Sequence, residues 1–359
     1  MIRLRTGTVV AVAAERPGAV ELVVEVEGAR GSALAYPGIV GPAGPGDRVL
    51  LNTTAVDLGL GTGGMHLVVA VEGVDETEAD GPGHTMKARY TPSQVKVLSV
   101  EEADSPHRAA VAGDGRLDGT PVVWIPLHSM LGPAVAGARA AGAGRVAWVM
   151  TDGAALPAAL SRLSSELRAS GLLDAVVSSG QAFGGDLESI SVFSGLLAAR
   201  GVVGADVIVV GDGPGSSGTD TVWGSTHLAS AMSMNAAAVL AGRPVAALRI
   251  SFADPRERHL AVSHHSQTAL SRVAMTDVDV AVPAIEDEAR RDAVWRSLES
   301  TGVAALHRLT EVDGRPALDL LADHGIAMES MGRSFADDPE FFLAAGAAGV
   351  LAGGMVAGG

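Results

Sequence analysis

Five times between residues 122 and 268, a mostly apolar, β-branched run ends in a small, polar, glycine-containing loop. Buried parallel strands have continuous apolar runs of this kind, and open α/β sheets bind ligands outside the carboxyl ends of their strands. The pattern therefore predicts a parallel sheet whose polar loops gather at one edge. The five runs cover residues 122–127, 145–150, 174–178, 205–210 and 245–250.

Segments with helical periodicity separate and follow these runs. Strands that alternate with helices of ten or more residues are typical of a parallel sheet covered by helices. We therefore expect a three-layer, mostly parallel α/β domain over residues 120–359, and we expect it to carry the functional site. Its last helix is predicted to begin after Asp338, with Pro339 at the first position and Glu340 in the first turn. The other predicted helices cover residues 133–143, 156–170, 187–200, 226–241 and 285–300, and two further strands cover 278–282 and 303–309.

The first 72 residues contain only short strand-like runs, separated by turns rich in Gly and Pro. Regularly spaced short strands of this kind are typical of a small all-β barrel or sandwich. A polar connector over residues 73–83 and a further strand over 94–100 complete a predicted domain at residues 1–100, and residues 101–119 are predicted to be a linker. The predicted strands cover residues 4–13, 20–27, 32–36, 48–54 and 65–72.

Composition limits the possible partners. The formal net charge is −15 and the chain has no stripe rich in Lys and Arg, so we expect no nucleic-acid partner. The absence of cysteine excludes disulfides, thiolate catalysis and Cys-ligated metal centres. The uncharged run from Phe341 to Gly359 is mostly Ala and Gly, which favours a packing helix over a membrane span and leaves a homo-oligomer contact open. We expect a cytoplasmic protein with no membrane partner.

The loop after the fourth run contains the motif G-x-G-x-x-G and precedes a predicted helix. Glycines there let backbone N–H groups approach an anion, and a helix N-terminus favours negative charge. The distance from the motif to the helix and the lack of an acid about twenty residues on argue against a dinucleotide site. The alternative is a strained connection without a ligand. The candidate ligand-binding residues are Gly213, Gly215, Ser216, Ser217, Gly218 and Thr219.

Residues 249–268 are the densest cluster of ionisable side chains. A neutral imidazole here could act as general base or bind a metal together with an aspartate, and arginines could clamp a phosphate or carboxylate. If the segment is extended, His259 and His265 share one face and His264 lies on the other, unless the backbone turns between His264 and His265, which Ser266 and a following helix would allow. The alternative is that the histidines only cap a helix or bridge loops, so metal and cofactor stay open. The candidates are His259, His264 and His265 for catalysis, and Asp254, Arg256 and Arg258 for ligand binding.

Three further candidates follow other strands. Asp152 and Asp212 could complete proton transfer with one of the histidines, and Gln181 could contact the ligand. Asp186 and Glu188 precede a predicted helix, where helix capping explains them best. The loops over 211–219 and 254–265 flank one predicted helix. If their strands are neighbours in the sheet, the two loops face each other across one cleft.

Several phrases resemble an uncharacterised bacterial family, domain of unknown function 3866. The resemblance extends over nearly the whole chain and implies full-length bacterial proteins of this size, without an established activity. The phrases that carry it are LGLGTGG (58–64), GHTMKARYTP (83–92), VMTDGAALP (149–157), GQAFGGD (180–186), GPGSSGT (213–219) and FADPRERHLAVSHHSQT (252–268).

The sequence therefore favours an enzyme that acts on a small anionic molecule, such as a nucleotide or a phosphorylated metabolite, at the carboxyl edge of the sheet. Hydrolysis and group transfer are both open. The alternative is a non-catalytic ligand-sensing or scaffold module in which the β domain binds a protein partner. In the enzyme the histidines would transfer a proton, whereas in the non-catalytic module they would have only a structural role.

Overall fold

The chain divides into two units, Met1–Val97 and Leu98–Gly359. The computed structural model describes residues 2–61, 63–75 and 81–357. Thr62 of the first glycine-rich phrase, residues 76–80 of the predicted connector, and residues 358–359 of the predicted packing helix lie outside the described residues.

The first unit is a closed barrel of five strands in the order β1-β2-β3-β5-β4, as the short strands predicted. All neighbours are antiparallel except β3 and β5, which are parallel. In β2 every second side chain faces the interior, where Val20, Leu22, Val24 and Val26 are buried. The strands are β1 (Leu4–Arg16), β2 (Ala19–Val26), β3 (Ala29–Ala35), β4 (Arg48–Asn52) and β5 (Met65–Val71).

Short elements complete this unit. They are the helices α1 (Pro37–Val40) and α2 (Thr54–Asp57) and the antiparallel strands β6 (Thr85–Lys87) and β7 (Val95–Val97). The strand predicted over 94–100 is therefore shorter than expected.

The second unit is built on eight parallel strands in the order β11-β10-β9-β12-β8-β13-β16-β17. The five apolar runs of the sequence form β8, β9, β10, β12 and β13, so the predicted α/β fold is confirmed. The strands of this unit are β8 (Pro121–Trp124), β9 (Val146–Thr151), β10 (Ala175–Ser179), β11 (Leu187–Ser189), β12 (Val207–Asp212), β13 (Arg243–Ala247), β14 (Ile250–Ser251), β15 (Ala261–Val262), β16 (Asp279–Pro283), β17 (Arg308–Val312), β18 (Glu329–Ser330) and β19 (Arg333–Ser334).

Helices cover both faces of this sheet and make three layers. Alternate residues of β8 pack in the two hydrophobic cores on opposite faces of the sheet: Val122 and Trp124 lie in one core, and Val123 lies in the other. Burial on both faces explains why the strands are continuously apolar. The helices are α3 (Arg108–Val111), α4 (Leu131–Ala140), α5 (Arg162–Ala169), α6 (Val192–Gly201), α7 (His227–Val239), α8 (His264–Thr268), α9 (Glu288–Ser300), α10 (Val303–Leu306), α11 (Arg315–Asp323) and α12 (Pro339–Ala357).

Two predicted elements are wrong. Residues 187–189 form β11 because Glu188 is held in the sheet by Ser178 Oγ, and α6 begins only after the capping box of Ser191 and Ser194. Residues 303–306 are helical because Gly302 takes a left-handed conformation (φ 77°) that starts a new turn, and the strand begins at Arg308.

The helix α12 begins at Pro339, as predicted, and packs on α4 through small residues. A Cβ on Gly349 would lie 2.1 Å from the carbonyl oxygen of Ala134, so only glycine permits this approach. Among the described residues, α12 is the helix long and apolar enough to cross a membrane, but 67% of its apolar window is buried. That burial matches the core helix of a soluble protein.

The sheet order corrects one expectation. β8 lies between β12 and β13, so the strands that precede the loops over 211–219 and 254–265 are not neighbours. Instead of the expected cleft between the two loops, a crevice forms between β9 and β12, which are adjacent strands. The chain leaves β9 towards α5 in one core and leaves β12 towards α7 in the other. Ligand sites of open α/β sheets lie at such divergences.

Candidate functional site

The loop after β12 and the segment after β13 still meet, although their strands are separated. A Cβ on Gly218 would lie 2.8 Å from Cε1 of His265, so the glycine backbone packs directly on this ring. Gly213 packs on the side chain of Met150 at the sheet edge, where a Cβ would lie 2.6 Å away. The contact therefore comes from the length of the loops, which span the end of β8.

The rest of the glycine-rich loop is held by its own hydrogen bonds. Ser217 N–H donates to Thr226 Oγ1 (3.2 Å), and Thr219 N–H donates to the carbonyl of Gly224 (2.8 Å). These two N–H groups are thus used internally and do not form the open anion cradle that the motif predicts. Gly215 has a positive φ (98°), which glycine adopts without strain.

The segment that carries three of the histidines is not extended, and a helix that includes Ser266 turns the chain at His264 and His265, which is the alternative that the sequence left open. A tight turn over Glu257–His259 leads into β15, and α8 begins at His264. Ala261 between them has a left-handed φ of 54°, which is rare for a residue other than glycine. The chain reversal brings all three rings together, with the centroids of His264 and His265 3.9 Å apart and that of His259 within 5.8 Å of both.

A fourth histidine, His227, joins this group from the first turn of α7. Its ring centroid lies 5.9 Å from that of His265, and its Nδ1 lies 2.8 Å from Ser225 Oγ. His227 was not among the site residues predicted from the sequence. A histidine at the start of the helix that follows a glycine-rich loop was the available signal.

Arginines surround these rings, and one of them is deeply buried. Arg249, 4% exposed, pairs with Asp254 at 3.1 Å between Nη2 and Oδ2. Arg256 binds the same carboxylate through Nε (2.8 Å) and Nη2 (2.7 Å). The guanidinium of Arg256, followed by that of Arg249, holds the pKa of Asp254 well below its ordinary value. In the structure Arg256, predicted to clamp a ligand, is thus paired with a protein carboxylate.

Buried polar atoms without a hydrogen-bond partner converge here, in what we call the histidine–arginine cluster (His227, Arg249, Arg258, His259, His264 and His265). The Nε atoms of Arg249 and Arg258 can only donate, so an acceptor is needed to satisfy them. Such groups are costly to bury unpaired. In the described part of the chain, the other atoms of this region without a hydrogen-bond partner are Ser216 Oγ, His227 Nε2, His264 Nε2, both ring nitrogens of His265, and Nε and Nη2 of Arg333, which lies beside Asp254.

Burial and neighbouring arginines keep these imidazoles neutral at pH 7. Burial, then Arg249, lowers the pKa of His227 and of His259 to about 3. Burial, then His264 and Arg249, lowers the pKa of His265 to about 4. His264 is only half-buried, and burial, then Arg258, lowers its pKa too.

A different cluster lies at the crevice between β9 and β12. We call it the acidic cleft: it has a volume of about 170 Å³ and includes both aspartates predicted for catalysis. Within the described residues, no hydrogen bond joins Asp152 or Asp212 to an imidazole. The cleft is lined by Thr151, Asp152, Gly153, Ser179, Gly180, Ile190, Ser191, Val192, Asp212, Ala229, Ser230, Met232 and Ser233.

Asp212 lies in the lining of this cleft and is 6% exposed. Its Oδ1 accepts a short hydrogen bond from Thr151 Oγ1 (2.5 Å), whereas its Oδ2 has no partner. Burial, despite the Thr151 hydrogen bond, raises the pKa of Asp212, and the negative charge of Asp152 adds to this rise. A Cβ on Gly153 would lie 2.6 Å from Cγ of Asp212, so this glycine makes room for the carboxylate.

The loop after β10 supports Asp152 and does not cap a helix. Gln181 N–H donates to Asp152 Oδ2 (3.2 Å), so this predicted ligand residue contacts the cleft through its backbone. Asp186 accepts from Val176 N–H (2.7 Å) and pairs with Arg168, and Glu188 lies in β11. The capping expected for Asp186 and Glu188 is wrong, since the helix begins later, at Val192.

No metal centre of protein ligands is preformed in the part of the chain that the structure describes. Among those residues no group of three or more His, Cys, Asp or Glu side chains is arranged to hold a metal ion. The four imidazoles of the histidine–arginine cluster pack as rings and do not converge their nitrogens on one point.

The architecture is a small barrel followed by an open parallel sheet with polar clusters at its carboxyl edge. Residues 32–349 match the model of a family described as a protein of unknown function, DUF3866. The chain belongs to this family, as the sequence resemblance predicted. No curated protein and no solved structure matches the chain.

Proposed function

We propose that the second unit binds a small anion at the histidine–arginine cluster and that the protein is an enzyme acting on an anionic metabolite there. One observation carries the proposal: obligate donors of Arg249 and Arg258 are buried without acceptors beside the rings of His227 and His265. A phosphate or carboxylate oxygen is the acceptor that suits guanidinium groups best.

The local charge supports this proposal although the chain is acidic. Asp254 is the carboxylate that pairs with Arg249, and Arg256 and Arg333 share it, at 2.7 and 3.6 Å. The charge of Arg258 has no hydrogen-bonding carboxylate among the described residues and acts on the rings of His259, His264 and His265. An anion brought here meets an excess of positive charge in a partly buried region, where electrostatic attraction is stronger than in open solvent.

We assign proton transfer to His264. It is the most accessible imidazole of the cluster, and a bound anion would raise its pKa towards the neutral range, where general acid–base catalysis works best. The absence of cysteine and the burial of α12 fit a cytoplasmic location, which is part of this proposal.

A non-catalytic binding module is the second candidate, and a specific observation favours it. Within the described residues the cluster contains no imidazole hydrogen-bonded to a carboxylate: His227 and His259 pair with the hydroxyls of Ser225 and Ser263 instead. A general base is commonly oriented by such an acid. Binding without conversion would support this candidate.

Sulfate binding to the full chain tests the anion site. Isothermal titration should show one site in the wild-type protein and at least a ~10-fold weaker one in Arg258→Met, because a charged donor is lost. Arg116→Met is the matched control, since Arg116 is 67% exposed and precedes the amino end of β8, at the opposite edge. Equal affinity in both variants would contradict the proposal.

Conversion distinguishes the two candidates. A mixture of sugar phosphates and nucleotides is incubated with the protein and followed by phosphorus NMR. We expect His264→Gln to slow conversion by about 100-fold or more while sulfate affinity stays within about threefold, because the arginines remain. Sulfate binding with no converted compound would favour the non-catalytic module.

A further inference from the structure

The acidic cleft differs from an accidental gap because its walls offer mainly hydrogen-bond acceptors. Thr151 donates its hydroxyl proton to Asp212 Oδ1, and Ser230 donates to the carbonyl of His227 (3.1 Å). Ser233 donates to the carbonyl of Ser230 (2.6 Å). Because a hydroxyl has one proton, only oxygen lone pairs are left for a ligand, and the oxygen of Ser230 already accepts from Trp124 Nε1 (3.2 Å).

The carboxylates add negative charge to these acceptors. Asp212 is more than nine-tenths buried, and its Oδ2 has no partner in the described residues. Asp152 contributes a second carboxylate across the crevice, with one backbone donor at 3.2 Å, from Gln181. A buried carboxylate oxygen without a donor indicates a missing donor or cation, since desolvation is otherwise uncompensated.

An anion is a poorer occupant, although α6 begins at this cleft. The first turn of α6 already holds the carboxylate of Glu101: its Oε1 accepts from Ile190 N–H (2.8 Å) and from Ser194 Oγ. The positive end of the helix dipole is therefore largely compensated. Ser191 and Ser194 form a capping box that uses further donors of this turn.

From these contacts we propose that the acidic cleft binds a hydrated divalent cation of the Mg²⁺ class, with Asp212 and Asp152 as its carboxylate ligands. Mg²⁺ gives up its waters reluctantly and is commonly held by one or two carboxylates. A cleft of about 170 Å³ has room for an ion with several waters. This explains why no group of three protein ligands is needed.

The inference does not depend on the proposed anion site. The first turn of α7 connects the two regions, since Ser230 lines the cleft and donates to the carbonyl of His227. A phosphate bound at the histidine–arginine cluster and a cation bound in the cleft would thus share one sheet edge. Mg²⁺ sites often combine protein carboxylates with substrate phosphates, so the two ligands can be parts of one complex.

Titration of the full chain with Mn²⁺, in buffer free of phosphate and sulfate, tests the proposal. Electron paramagnetic resonance counts the bound ion, and Mg²⁺ should displace it. We expect one site in the wild-type protein and at least a ~10-fold loss of affinity in Asp212→Asn and Asp152→Asn, since ligand substitution has effects of this size. Glu286→Gln removes the same charge from a side chain that is 86% exposed, and its affinity should be unchanged.

Each other result overturns the proposal. It fails if the wild-type protein binds no Mn²⁺, if Asp212→Asn and Glu286→Gln bind equally, or if putrescine but not Mg²⁺ displaces bound Mn²⁺. Should Asp212→Asn unfold, Gly153→Ala replaces it, because the added methyl would lie 2.6 Å from Oδ2 of Asp212 and so displaces the carboxylate. Arg258→Met must retain the Mn²⁺ site, which separates a failure here from a failure of the anion site.

Discussion

Two neighbouring regions at one sheet edge have opposite hydrogen-bonding character. The histidine–arginine cluster contains buried donors without acceptors, and the acidic cleft contains a buried acceptor without a donor. Their origins also differ. The cleft arises where the chain leaves adjacent strands in opposite directions, whereas the cluster depends on long loops that cross the end of β8. The acidic cleft therefore follows from strand order alone, whereas the histidine–arginine cluster depends on loop conformation.

The largest expected effect is a loss of stability when the carboxylate of Asp254, which pairs with the buried Arg249, is removed. Asp254→Asn leaves the buried Arg249 without its counter-charge, and breaking a buried pair of this kind costs roughly 3–5 kcal/mol. The chain's four tryptophans all lie in the second unit, so their fluorescence during urea unfolding reports on that unit alone.

The same variant should bind sulfate more tightly, because the anion then replaces the lost charge. Glu286→Gln removes a carboxylate from an exposed pair and should change the unfolding free energy by less than about 1 kcal/mol. A loss of stability in Asp254→Asn without a gain in sulfate affinity would place the anion elsewhere.

Two glycine substitutions separate the regions. In Gly218→Ala the new Cβ would lie 2.8 Å from the ring of His265, and in Gly153→Ala it would lie 2.6 Å from the carboxyl carbon of Asp212. Neither glycine has a positive φ, so the effects are steric. We expect Gly218→Ala to weaken sulfate binding by about 10-fold and to retain Mn²⁺ binding. We expect Gly153→Ala to weaken Mn²⁺ binding by about 10-fold and to retain sulfate binding. A 10-fold change corresponds to a loss of about 1.4 kcal/mol of binding free energy.

Calorimetric titrations with sulfate and with Mn²⁺ measure both affinities in each variant. If either glycine variant loses both ligands together, the two regions form a single site and the comparison breaks down.

The last expected effect is on pH dependence. His227, His259 and His265 have pKa values of about 3, 3 and 4 in the fold, below the ordinary value of 6.5. Their stabilising contribution is complete above about pH 6.5 and is lost as the pH falls towards 4, because the unfolded chain binds protons that the fold does not. The melting temperature should therefore fall between about pH 7.5 and about pH 5.

Sulfate should reduce this fall, since a bound dianion favours protonated imidazoles. The comparison is made against chloride at equal ionic strength, because sulfate also stabilises proteins generally by exclusion from their surface. Arg258→Met provides the specific control. If sulfate reduces the fall in melting temperature equally in that variant, the effect of sulfate does not come from binding at the histidine–arginine cluster.

The strands of the sheet could be predicted because each carries its own signal. A run such as Val207 to Val210 is buried on both faces, and its composition shows it. Strand order leaves no local signal, so the position of β8 between β12 and β13 could not be predicted. The convergence of His259 with His264 and His265 depends on the left-handed Ala261, which propensity disfavours.

The roles of the arginines depend on distant partners. Arg256 and Arg258 lie two residues apart in one loop, yet the carboxylate of Asp254 takes Arg256 and leaves Arg258 facing the imidazoles. Arg249 is the penultimate residue of an otherwise apolar run, and its burial was not foreseen because a charged residue near a strand end is usually solvated. Asp212 was identified as a candidate, but its missing partner is visible only in three dimensions.

The close contact of α12 with α4 has a consequence for the order in which the chain is made. The core on this face contains residues from β8, near residue 123, and from α12, including Phe341 and Phe342. It stays open until the ribosome has added more than 200 further residues, on the order of tens of seconds at typical synthesis rates. The barrel of the first unit is complete long before. During synthesis, an apolar sheet face is therefore exposed after the first unit is finished, and we expect a chaperone to bind this face.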